Sequence, residues 1–127
     1  MLADHTPMGF IGVADIERAT AFYVGLLGLK SHGFDGFALE VEAGPIRVRI
    51  TQPPQLVVAP YTVFGWRTDD IERDVRALTA KGVAFERYAF FADQQDALGI
   101  WDAPDGAARV AWFKDPDGNV LSLSQHG

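Results

Sequence analysis

Two stretches of the chain share one pattern of apolar and polar positions. The first runs Met8-Gly9-Phe10-Ile11-Gly12-Val13-Ala14 and then Asp15-Ile16-Glu17-Arg18. The second runs Val63-Phe64-Gly65-Trp66-Arg67-Thr68-Asp69 and then Asp70-Ile71-Glu72-Arg73. The same tetrapeptide closes an apolar run twice, at an offset of 55 positions, and the flanks repeat with it. Such repeats constrain architecture before any single element does. Each apolar run reads as a strand. Asp15 suits an N-cap, because its carboxylate can accept from the free N–H groups of a helix start. The spacing predicts a helix over 16–27, with Ile16, Ala19, Phe22 or Tyr23, and Leu26 on one face and Gly28 as its stop. In the second copy Asp69 or Asp70 caps a helix carrying Ile71, Val75 and Leu78, and Gly82 terminates it in the left-handed conformation.

Strand and turn signals follow each helix. In the first half Phe37–Glu42 and Ile46–Thr51 flank Ala43-Gly44-Pro45. In the second, Ala108–Phe113 and Asn119–Ser124 flank Asp115-Pro116-Asp117-Gly118, whose Pro and Gly suit a tight turn. Each half therefore reads β-α-β-β-β, with module one at about 5–52, a proline-bearing linker at about 53–60 and module two at about 61–127, together one domain over 1–127. Residues 91–106 read as a long loop or hairpin, a kind of segment that is often functional in compact domains. Period-two alternation sorts the strands into two faces. Ile11, Val13, Val48, Ile50, Phe64, Trp66, Leu121 and Leu123 fall on an apolar face suited to lie under the helices. Met8, Phe10, Gly12, Arg47, Arg49, Thr51, Val63, Gly65, Arg67, Val120, Ser122 and Ser124 fall on the other.

Composition narrows the classes of function. The chain has 127 residues, 48% hydrophobic and 22% charged, with a formal charge of −6. That suits one folded domain rather than disorder. Lys and Arg are scattered, so no nucleic-acid footprint is expected, and no apolar run approaches the ~18 residues of a membrane span. Met1–His5 lacks the basic and apolar regions of a signal peptide. The absence of cysteine excludes disulfides, thiolate nucleophiles and Cys-ligated zinc, and fits a cytoplasmic protein. No Gly-x-Ser-x-Gly elbow and no P-loop is present, and no catalytic residue can be named.

Three stretches in order resemble the vicinal-oxygen-chelate superfamily of glyoxalases, bleomycin-resistance proteins and extradiol dioxygenases. They are Asp15–Tyr23 continued by Gly25-Leu26-Leu27-Gly28-Leu29; Asp69-Asp70-Ile71 ending at Lys81-Gly82-Val83; and Phe113–Asn119. The resemblance covers nearly the whole chain. It implies an α+β fold of two βαβββ modules forming a curved, half-open mixed sheet with helices on the outer face, and commonly a homodimer. In metal-binding relatives, ligands sit on the first and last strands of each module. The matching positions here are Met8, Arg49, Val63 and Ser122. A divalent cation prefers carboxylate or imidazole; Val63 cannot ligate, Ser122 is a poor neutral donor and Arg49 brings a fixed positive charge. No metal and no cofactor are therefore expected, and His5, His32 and His126 read as surface residues.

The remaining face, mixed apolar, hydroxyl and guanidinium, suits a pocket for a small organic molecule, with an anionic group as one option. Met8, Phe10, Arg47, Arg49, Val63, Trp112, Ser122 and Ser124 are its expected lining, and Trp101, Phe90, Phe91 and Tyr61 are further candidate walls. For the aromatics, core or dimer-interface packing is the rival reading; for Arg47 and Arg49, it is an ion pair with Glu40 or Glu42 across the hairpin. Two functions follow: a metal-free binding protein, or an enzyme of the same superfamily, a glyoxalase-like lyase or dioxygenase with its metal displaced or absent.

Overall fold

A computed structural model describes residues 1–127, which divide into two compact units, Met1–Val58 and Ala59–Gly127. Each is a βαβββ module with its own four-stranded mixed sheet.

In the first unit β1 (Met8–Gly12) leads to a helical segment, then β2 (Lys30–Phe34), β3 (Ala38–Ala43) and β4 (Ile46–Thr51), in the sheet order β1-β4-β3-β2. β1 runs parallel to β4, pairing Met8 with Arg47 and Phe10 with Arg49; the other neighbours are antiparallel. Val13 N–H continues the β1–β4 ladder to the Thr51 carbonyl at 2.8 Å. The helix then starts as its sequence dictates. The Asp15 carboxylate accepts from the N–H groups of Glu17 and Arg18, and the Ile16 N–H donates to Gln52 Oε1 at 3.2 Å. These contacts satisfy donors that a helix leaves unpaired at its start.

The predicted helix over 16–27 forms in two parts. α1 (Ile16–Thr20) is regular, and Ala21–Leu26 continues it with π geometry, so that the Leu27 N–H reaches the Phe22 carbonyl at 2.8 Å. The cause lies in the spacing: one more residue separates Ile16 from the terminating Gly28 than separates Ile71 from Gly82. A single surplus residue is what a π turn absorbs. The wider turn brings both Phe22 and Tyr23 into the core, edge to face at 5.0 Å, where α spacing predicts one or the other. They pack with Ile11, Val13, Ala19, Leu39, Val41, Val48 and Ile50. Each buried Val, Ile or Leu contributes roughly 1.5–3 kcal/mol.

The second unit repeats the scheme with β5 (Thr62–Arg67), α2 (Ile71–Ala80), β6 (Trp101–Asp102), β7 (Ala108–Lys114) and β8 (Val120–His126), in the order β5-β8-β7-β6. The equivalent contacts recur. Thr68 N–H donates to the Ser124 carbonyl at 2.8 Å, Ile71 N–H donates to Gln125 Oε1 at 2.9 Å, and Asp70 caps α2 through the Arg73 N–H. Both Asp15 and Asp70 thus begin helices, and Gly28 and Gly82 end them at φ +76° and +101°. Ile71, Val75, Ala111, Phe113, Leu121 and Leu123 are buried together, with Trp66 stacked on Phe113. The Asp115–Asn119 turn is held by the buried Asp115 carboxylate, which accepts from the N–H groups of Asp117 and Asn119 and from Asn119 Nδ2. No helix is long and apolar enough to cross a membrane.

Two expectations change. Strict alternation makes Val63 the counterpart of Met8, but β5 has a bulge between Thr62 and Phe64. Thr62 therefore pairs with Val120, and Val63 drops out of the ladder. A bulge inserts one residue without a partner and resets the alternation behind it. Val120, expected to line an open face, is buried at 3% exposure. The 91–106 segment resolves into irregular chain followed by the β6–β7 hairpin, whose first arm is only two residues long.

Candidate functional site

The sheet registers define the face of each unit turned away from its helix. In the second unit Trp112 pairs with Ser122, Val110 with Ser124 and with Trp101, and Gly65 with Ser122. Paired residues share a face, so Trp101, Val110, Trp112, Ser122, Ser124 and Gly65 lie on one side. Phe113, Leu121 and Leu123 fill the other. The Ser122 hydroxyl lies directly over Gly65, where a Cβ would collide with it and would also sit 3.1 Å from the Ser122 carbonyl. This explains a glycine inside a strand.

Above that face the chain from Tyr88 to Phe91, ending in a short 3-10 turn, adds three more rings. Phe91 stacks on Trp101 at 4.8 Å and on Trp112 at 5.4 Å, with interplanar angles of 26° and 21°. Tyr88 stacks on Phe90 at 5.3 Å and meets Trp112 edge-on at 5.6 Å. Phe90 is 77% exposed, while Phe91, Trp101 and Trp112 are half-buried. Five rings therefore form one continuous aromatic surface that the unit's own core does not swallow. Burial pushes the Tyr88 hydroxyl above its ordinary pKa, so the ring stays neutral at physiological pH.

The first unit's equivalent face is charged. Arg49 donates to Asp35 at 2.8 Å and to Glu40 at 3.0 Å, and Arg47 donates to Glu40 at 2.7 Å. His32 Nε2 lies 3.0 Å from Glu42. The cross-hairpin ion-pair reading of both arginines is thus what forms, with Asp35 as an added partner. The Arg49 guanidinium, aided by the N–H groups of Ala38 and Phe37, holds the Asp35 carboxyl far below the usual carboxylate range. Hydrogen bonds from Arg49 and Arg47 lower Glu40 as well. Met8 and Phe10 flank this network on β1 and are 45% and 65% exposed.

The predicted lining residues therefore fall into two groups: Met8, Phe10, Arg47 and Arg49 on the first sheet, and Val63, Trp112, Ser122 and Ser124 on or beside the second. The registers make Arg49 and Ser122 equivalent positions of the repeat, since each stands two residue pairs before the end of its parallel ladder. A divalent metal does not fit the family's ligand positions in this chain. Arg49 is already occupied by two carboxylates, Ser122 is folded onto Gly65 and Val63 has no donor. No group of three or more His, Cys, Asp or Glu side chains could hold one elsewhere. Sequence reasoning missed Tyr88, whose signal was the aromatic density of Tyr88-Ala89-Phe90-Phe91, and Gln95, which had no signal.

The fold recurs in solved structures. One is TnmS3, described as an antibiotic-binding protein from Streptomyces sp. CB03234, at 27% identity, covering 100% of this chain and 99% of that one with a TM-score of 0.73. A member of the glyoxalase/bleomycin resistance protein/dioxygenase superfamily from Sphaerobacter thermophilus matches at 23% identity, 99% and 100% coverage and a TM-score of 0.73. A glyoxalase family protein from Enterococcus faecalis matches at 18% identity, 98% and 99% coverage and a TM-score of 0.75. No curated protein sequence matches. The model of one family spans residues 3–123, nearly the full length over which the repeated caps and ladders run, and the chain belongs to that family, the Glyoxalase/Bleomycin resistance protein/Dioxygenase superfamily.

Proposed function

We propose that this protein binds a small, planar organic molecule on the aromatic face of its second unit, without metal chemistry. The observation that carries the reading is the stack of Phe91 on Trp101 and Trp112, left partly open above the sheet. Clustered aromatic rings with a few hydroxyls beside them, here Ser122 and Ser124, are typical of small-molecule sites, and offset stacking gives flat ligands a geometric preference. The likeness to an antibiotic-binding protein points the same way. The rings and the two serine hydroxyls carry no formal charge, and ring faces attract cations, so the ligand class is planar and neutral or cationic. A metal-dependent lyase or dioxygenase activity would need a donor set that the family's ligand positions, Met8, Arg49, Val63 and Ser122, do not provide.

We also place the protein in the cytoplasm, where a chain without cysteine loses nothing, and expect a homodimer. β2 is an edge strand exposed along its whole length, with Phe34 at its end 56% exposed and Phe37 in the turn after it 81% exposed, and such edges are commonly covered by pairing.

Titration of tryptophan fluorescence with acridine orange, a planar aromatic cation, tests the site. Saturable quenching that weakens at least tenfold in Trp112→Ala is expected. Absence of saturable binding by acridine orange and by neutral planar compounds such as acridone would overturn the reading. Light scattering tests the dimer, and a mass near 14 kDa at micromolar concentration would refute it.

A further inference from the structure

The loop that brings the rings together is tied by one side chain. Gln95 is buried at 7% exposure, and its carboxamide makes three hydrogen bonds, all to backbone. Nε2 donates to the carbonyls of Glu86 at 3.0 Å and Gly99 at 2.9 Å, and Oε1 accepts from the Tyr88 N–H at 2.9 Å. The backbone of Gln95 forms an antiparallel bridge with Trp101. Glu86 N–H donates to the Trp112 carbonyl at 2.7 Å. Each segment that carries a ring of the stack is therefore joined to Gln95 directly or through one bond.

The chemistry of the position is restrictive. Two carbonyls and one N–H converge on it, which calls for two donors and one acceptor in a plane, and a primary carboxamide supplies that set. A carboxylate would leave both carbonyls facing negative charge, and an apolar side chain would leave three buried backbone groups unpaired. Gly99 is fitted to the same arrangement: at φ +90°, a Cβ there would stand 3.2 Å from that of Phe85.

We propose that Gln95 is the positioning residue of the aromatic face: its carboxamide sets the placement of Tyr88, Phe91 and Trp101 relative to Trp112, and thereby the affinity for a planar ligand that it does not itself touch. The proposal rests on the reading of that face as the ligand site, and the experiment separates the two.

The full-length protein is compared with Gln95→Met, which keeps the volume and removes the bonds, and Gln95→Glu, which keeps the acceptor and removes the donors. Gln125→Ala serves as a control; it removes the acceptor of the Ile71 N–H at the start of α2, away from Glu86, Tyr88 and Gly99. Near-UV circular dichroism without ligand reads ring packing, and acridine orange titration reads affinity. Both Gln95 variants should lose most of the near-UV signal while retaining the far-UV spectrum, and should bind the dye at least tenfold more weakly. Gln125→Ala should lower the melting temperature and leave both readouts in place. In the wild-type protein the Tyr88 amide should be protected from hydrogen exchange at least a hundredfold over a free loop amide, a measurement that needs no variant to fold. Wild-type near-UV signal and affinity in either Gln95 variant, an equal loss in Gln125→Ala, or an unprotected Tyr88 amide would overturn the proposal. Failure of the wild-type protein to bind acridine orange and acridone alike, with the near-UV loss intact, would overturn the ligand site and support the positioning of the rings.

Discussion

The Arg49 guanidinium donates to the Asp35 carboxylate at 2.8 Å, joining the middle of β4 to the turn before β3. Asp35 is about half exposed, so solvent and salt screen the pair, yet its carboxyl is held far below the ordinary range by Arg49 and by two backbone N–H groups. A carboxyl depressed in the folded state stabilises the fold above its unfolded pKa, about 3.9. That contribution fades as pH falls below this value and is gone below the folded-state pKa. Wild-type protein should therefore melt above Asp35→Asn at pH 7, and the gap should shrink steadily from about pH 4 downward. Melting curves from pH 7 to pH 2 check this; a gap independent of pH would contradict it. Added salt should narrow the gap at pH 7 for the same reason.

The helix of each unit is closed by a glutamine from the strand that ends the unit. The Ile71 N–H bond to Gln125 is the shorter and less exposed of the two, at 2.9 Å against 3.2 Å for Ile16 and Gln52. Loss of a partner for a partly buried helix-start N–H costs about 1 kcal/mol. Gln125→Ala should destabilise by that amount in urea unfolding, and Gln52→Ala by less. Equal costs, or none at Gln125, would count against the capping role.

Gly65 and Ser122 form a matched pair. Gly65→Ala should destabilise the protein by about 1–3 kcal/mol, as overpacking of a fitted site does, because the new methyl meets the Ser122 hydroxyl. Ser122→Ala removes that hydroxyl, so the double variant should recover part of the loss, leaving the strain against the Ser122 carbonyl. A double-mutant cycle measures the coupling; strict additivity would show that the hydroxyl is not the obstacle.

Much of this was legible in the residues. Asp15 and Asp70 announced both helices, Gly28 and Gly82 their ends, and the alternation in Ile46–Thr51 and Leu121–Ser124 separated core from open face. These features are local, set by capping chemistry and strand period. What stayed hidden depended on pairing between distant residues. The bulge at Val63 exists only against β8, and the aromatic surface depends on how Tyr88–Phe91 folds back over Trp101 and Trp112. Arg49 carried two readings because its partner Asp35 lies fourteen positions away, beyond any strand-period argument.

Each half of the chain closes its own helix: the end of its last strand supplies a carbonyl to the chain approaching the helix, Thr51 to Val13 and Ser124 to Thr68, and a carboxamide to the first helical N–H, Gln52 to Ile16 and Gln125 to Ile71. Inheritance can act on such a half as a whole. It can be duplicated, exchanged with a counterpart or placed second instead of first, and no helix start is orphaned by the move. One copy is then free to accumulate rings while the other accumulates charge, as the two sheets of this chain have done.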